Sequence, residues 1–167
     1  MNEGINGYSE LMIQTYGLHW HADKVFWGKK NNSGSLLGAA SRSPNAIPIE
    51  FREQRGIYAL YADYDLVYVG QTGSGDNRLL KRLNAHLNDH LAERWNRFSW
   101  FGTQWVTKQN KLSTDTAAIH EGIVSALNTL EAVSIAISEP RLNLQRGRWG
   151  EIQQYYQVNA SEEFARN

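Results

Sequence analysis

The sequence predicts an α+β fold, a small sheet with helices packed on it. Two observations carry that prediction. Residues 56–70 hold two runs rich in β-branched and aromatic side chains, GIYALYA and LVYVG, separated by Asp-Tyr-Asp, the pattern of an antiparallel hairpin. A later aromatic run, FSWFGTQWV, is flanked by two segments whose apolar residues recur every three to four positions, the period of an amphipathic helix. The resulting order is strand, strand, helix, strand, helix.

The first fifty residues differ from the rest in texture. Glu10–Tyr16 has the length and pattern of a short helix, and His19-Trp20-His21 and Val25-Phe26-Trp27 supply aromatic anchors. Lys29–Pro48 is rich in Gly, Ser, Asn and Pro and reads as loop, with one short strand at Leu36–Ala40. Gly56–Ala62 and Leu66–Gly70 are the paired strands, and Thr72–Asn77 (TGSGDN) is a turn-forming loop. Arg78–Trp95 carries Leu79, Leu83, Leu87 and Leu91 at helical spacing. Phe98–Val106 returns to strand texture. Thr116–Ile137 is the longest helical pattern, with Ile119, Ile123, Leu127, Leu130, Val133 and Ile137 on one broad arc and Glu131 at its rim. Pro140 ends that helix, Arg141–Trp149 contains no acid, and the tail from Glu151 reads as a final short helix. The chain thus divides into an N-terminal extension (1–50), a central domain (51–150) and a C-terminal tail (151–167).

Composition narrows the function classes. A chain of 167 residues with 41% hydrophobic and 20% charged residues is ordinary for one folded domain. Lys+Arg and Asp+Glu are 17 each, so a globally basic nucleic-acid binder is excluded while a local basic face is not. There is no cysteine, which removes disulfides, thiolate nucleophiles and cysteine–zinc sites. The N-terminus shows no apolar signal core, and the longest nearly apolar run, Ala132–Ile137, falls far short of the roughly 18 residues of a membrane span. A cytoplasmic protein with no membrane partner is the expectation.

The residues that carry chemistry form an ordered set. Gly56-Ile57-Tyr58 and Tyr68-Val69-Gly70 lie on the paired strands; Arg82 and His86 follow at R-x-x-x-H spacing; Glu131 precedes Pro140 and Asn143 in an E-x8-P-x-x-N arrangement. This set resembles the signature of the GIY-YIG endonuclease family over about Arg55–Asn143. The resemblance implies a small three-stranded, mainly antiparallel sheet flanked by helices. It also implies hydrolysis of a DNA phosphodiester with a divalent cation, Mg²⁺ or a substitute such as Mn²⁺. Tyr58 and Tyr68 would line the active site, Arg82 would contact the scissile phosphate, Glu131 would bind the metal and Asn143 would hold the site together. Gln71 stands where several family members carry Lys, and Lys81 offers a replacement cation.

Elementary chemistry agrees with these roles. Attack on a phosphodiester builds charge on its oxygens, which an Arg fork neutralises. Mg²⁺ prefers oxygen ligands, keeps several waters and is held by one carboxylate plus substrate. A tyrosine with an ordinary pKa of about 10 is a base at neutral pH only if cations lower that value or if it passes its proton onward. His86 is the alternative base. Both assignments stand, with Tyr58 favoured by the resemblance.

DNA contact needs local positive charge. Arg78–Arg97 holds five Lys/Arg against Asp89 and Glu93, with Arg78 and Lys81 closest to the motif, and Arg146 and Arg148 belong to a second patch beyond Pro140. One chain has one site and nicks; cutting both strands takes a homodimer or two binding events. The competing class is a catalytically inactive nuclease-like module that only binds DNA or a protein. A third is a zinc-stabilised interaction domain using His86 and His90, one helical turn apart.

Overall fold

The computed structural model describes residues 12–72, 76–114, 132–133, 136–138 and 152–164. Among these residues seven strands form one mixed sheet: β1 (Thr15–His21), β2 (Leu37–Ala39), β3 (Ile49–Glu50), β4 (Gly56–Ala62), β5 (Asp65–Gln71), β6 (Arg97–Gly102) and β7 (Gln153–Gln157). Their order across the sheet is β3-β2-β7-β1-β6-β4-β5. β1 and β7 run parallel, and every other pair is antiparallel. Two short helices have full bounds, α1 (Leu79–Ala85) and α2 (Ala160–Glu163); residues 132–133 and 136–138 are also helical.

This corrects the expected small three-stranded sheet flanked by helices. Among the described residues strand outweighs helix, and the sheet is more than twice as wide. An antiparallel unit β6-β4-β5 is present, but β1 pairs with β6 on the far side of that unit and extends the sheet through β7, β2 and β3. The sequence hid β1 because its register shifts between Gly17 and Trp20, where His19 has φ 51°. Such a bulge breaks the alternation by which a strand is recognised. Thr15 and Tyr16, expected in a helix, begin that strand. The short strand expected at Leu36–Ala40 is β2, Leu37–Ala39; β7 was hidden by its composition, QQYYQ, and β3 by its length of two residues.

The hairpin formed as expected. Ala59 faces Val69 and Leu60 faces Tyr68, with Asp63 at positive φ in the turn. Gly56 opens β4 at φ +150°, and a Cβ there would collide with the Phe101 carbonyl oxygen, so the residue type is dictated by backbone proximity. The expected helix over 78–95 is shorter: α1 stops at Ala85 and residues 86–95 turn back on themselves. Asn84, Asn88 and Asp89 compete with helical hydrogen bonding there. Asp89 accepts from the Leu91 N–H at 2.8 Å, and the Trp95 indole donates to the His86 carbonyl at 3.3 Å. Leu91 and Trp95 are buried all the same.

One face of the sheet carries the larger core. Tyr58, Leu60, Phe98, Trp100 and Trp20 pack there against Leu79 and Leu83 of α1. The other face packs Tyr16, Phe101 and Ile152 with Val133, Ala136 and Ile137. Two members of the expected long helix, Val133 and Ile137, therefore lie against the sheet; most of that helix lies outside the described residues. No helix among the described residues is long and apolar enough to cross a membrane.

Candidate active site

Strand register decides which motif residues can meet. Tyr58 pairs with Gly70 and Leu60 with Tyr68, so the two tyrosines point to the same face on a diagonal across β4 and β5. Their ring centroids are 6.2 Å apart. Gly70 makes the approach possible: a Cβ at that position would collide with the Tyr58 ring and hydroxyl and crowd Tyr68. The glycine of the second triplet thus clears space for the tyrosine of the first.

α1 lies over this face because Leu79 and Leu83 bury into the core beneath it. That packing brings Arg82 and His86, four residues apart, to the same side of the helix. The Tyr58 hydroxyl lies 2.8 Å from His86 Nε2. His86 Nδ1 in turn lies 2.7 Å from Asp89 Oδ2. The His86 ring sits 4.9 Å from Tyr68, edge-on. Arg82 is hydrogen-bonded to Tyr58 and interacts with Tyr68, and Tyr58 more than Tyr68 raises its already high pKa.

The proton positions follow from these partners. The Leu91 amide first, and the His86 imidazole after it, hold the Asp89 carboxyl below its ordinary value, so it is an ionised acceptor at neutral pH. An acceptor at Nδ1 places the ring proton there and leaves Nε2 bare. Tyr58 therefore donates its O–H to Nε2. Burial pushes the Tyr58 phenol above its ordinary value; the Arg82 hydrogen bond and charge oppose this, and Tyr68 adds to it. Tyr58 is a neutral phenol at pH 7, wired through His86 to a carboxylate.

The cluster has two layers. Tyr58 is fully enclosed and His86 is 3% exposed, while Tyr68 and Arg82 are half-buried and form the outer layer. Arg82 Nε is buried without a hydrogen-bond partner among the described residues, a donor whose desolvation an anion would offset.

Of the residues singled out in the sequence, Tyr58, Tyr68, Arg82 and His86 come together. Gln71 sits exposed at the end of β5, Lys81 is exposed on α1, and Arg78 precedes α1, 3.9 Å from the Glu53 carboxylate. Glu131, Asn143, Arg146 and Arg148 lie outside the described residues. Asp89 was missed; its signal was the H-x-x-D spacing at a helix end. Both oxygens of Asp89 are committed, to His86 and to Leu91, so it does not take the place of Glu131 as a cation ligand. No three His, Asp or Glu gather into a metal-binding group among the described residues. A zinc pair of His86 and His90 does not fit, because both His86 nitrogens are engaged and His90 is exposed on the far side of Asp89.

In comparisons with known proteins, no family model, no curated protein and no solved structure matches this chain.

Proposed function

We propose that this protein is a metal-dependent DNA endonuclease that hydrolyses phosphodiester bonds with the residue set of the GIY-YIG family. The observation that carries the reading is the hydrogen-bonded series Tyr58–His86–Asp89 beside Arg82 on a single sheet face. It answers the objection that a neutral phenol is a poor base. When water gives a proton to the Tyr58 oxygen, Tyr58 releases its own to His86 Nε2, and Asp89 stabilises the resulting imidazolium.

Arg82 binds the phosphate. In exchanging its bonds with the two phenols for an anionic oxygen, it uncovers the Tyr58 oxygen for water. Tyr68 forms the outer wall and orients the phosphate. Glu131 is the residue assigned to Mg²⁺ or Mn²⁺, which when bound supplies charge neutralisation at the phosphate, and Asn143 and the Arg146/Arg148 patch belong to the same reading. The cytoplasm is the location that goes with it.

The full enclosure of Tyr58 favours a second reading, a catalytically inactive module that retains the cluster and binds DNA or a protein. Supercoiled plasmid with Mg²⁺ or Mn²⁺ decides between them. The nuclease reading requires nicked or linear product from the wild type and its loss in Glu131→Ala, Arg82→Ala and Tyr58→Phe. Equal inertness of wild type and Glu131→Ala on plasmid, linear and single-stranded DNA would overturn it.

A further inference from the structure

A second cluster of cations lies outside the tyrosine face. Loop 51–55 is clipped to the start of α1, where the Leu79 and Leu80 amides donate to the Gln54 and Arg52 carbonyls at 3.0 and 3.1 Å. The junction leaves a groove of about 430 Å³ reaching segment 111–114, and a smaller hollow continues it along α1 to Asn84. Arg52, Arg55, Arg78, Lys81 and Lys111 line the two.

Three carboxylates share this space, and they are not equivalent. Glu50 is turned inward, accepting from Ser35 Oγ and from the Leu36 and Arg52 amides. Asp76 stands at the lip. Glu53 faces the groove cations, with its oxygens 3.6 Å from Arg52 Nε and 3.9 Å from Arg78 Nε. At those distances and with Glu53 63% exposed, the pairs are loose. Arg55 Nε is buried and has no hydrogen-bond partner among the described residues. Arg52 Nε is likewise buried without a hydrogen-bond partner among the described residues, but its Nη1 is anchored, donating to Ser33 Oγ at 2.8 Å and to the Gly34 carbonyl at 3.3 Å.

We propose that this groove is a binding site for the DNA backbone flanking the bond to be cut, with Arg55 and Lys111 as sequence-independent phosphate contacts and Glu53 as a built-in competitor for Arg52 and Arg78. The inference rests on the nuclease reading for its ligand. Two connections tie the groove to the tyrosine face. Arg78 lies one helical turn before Arg82, about 6 Å along the axis. Arg55 directly precedes Gly56, which opens the strand that carries Tyr58. A backbone held at the groove would run along α1, the helix that carries Arg82.

The test measures binding of a fluorescein-labelled duplex by anisotropy in EDTA, over a series of salt concentrations. Arg55→Ala and Lys111→Ala should each weaken binding several-fold and lower the slope of log K against log salt by about one. Glu53→Gln should tighten binding, a gain that misfolding does not produce. Wild-type affinity and slope in the Arg55→Ala/Lys111→Ala double variant, or no gain from Glu53→Gln, would overturn the proposal. Cleavage of the same duplex with Mg²⁺ reads the nuclease proposal separately: a groove that binds in a protein that cuts nothing keeps this site and removes the hydrolase.

Discussion

The proposed mechanism turns on a single side chain, Tyr58. It was visible in the sequence as half of a motif, but Asp89, which it reaches through His86, was not, because H-x-x-D spacing alone does not fix which way a residue at a helix end will face. Removing the hydroxyl with Tyr58→Phe should lower cleavage by about 10² to 10⁴-fold and leave His86 Nε2 unpaired, at a stability cost of about 1–3 kcal/mol. Chemical denaturation and plasmid nicking measure the two separately. Gly70→Ala should cost a further 1–3 kcal/mol, roughly, by forcing the Tyr58 ring out of position; a melting temperature equal to wild type would contradict the packing described. Asp89 carries a pH signature. Its folded-state pKa is depressed, so the stability it contributes is present above the ordinary carboxylate value and is lost as pH falls through the folded one. Melting temperatures of wild type and Asp89→Asn should therefore differ near neutrality and converge in acid.

At the level of elements, the hairpin was legible and the first helix was legible only in part. β4 and β5 announce themselves through composition and a turn, both local features. α1 was overextended because leucine spacing continues past Ala85 while the backbone does not; Leu91 reaches the core through a turn instead. Leu83, fully buried under the tyrosine face, is the residue that seats α1. Leu83→Ala should cost about 2–5 kcal/mol and disturb Arg82 and His86 together. β7 supplies a different readout. Burial raises the Tyr155 phenol to about 12, beside Phe51 at 4.8 Å between ring centroids. A raised folded-state value means its stability contribution is intact below pH 10 and disappears as pH climbs toward 12. Tyr155→Phe should flatten that alkaline limb by an amount on the order of 2 kcal/mol, measurable by denaturation between neutral and alkaline pH.

Across the whole molecule, the parts of the sheet that sequence could not reveal are those made by distant segments. β1 and β7 pair in parallel across nearly the full length of the chain, and no local pattern encodes such a meeting. The consequence for engineering is direct. β1 sits between β7 and β6, and Trp20 on it packs edge-on against Phe51, Phe98 and Trp100. A chain begun at residue 51 should fail to give dispersed amide resonances, even though it retains every motif residue.

The position of β5 has a consequence of its own. Among the described residues it closes the sheet, hydrogen-bonded to β4 alone, with Leu66, Val67 and Val69 exposed. Tyr68 therefore rides on an edge strand while Tyr58, one strand inward, is clamped from both sides. Warming will loosen the outer phenol long before the protein melts. Deuterium uptake at β5 amides should outpace that at β4, and cleavage should fade at temperatures where circular dichroism still reports an intact sheet.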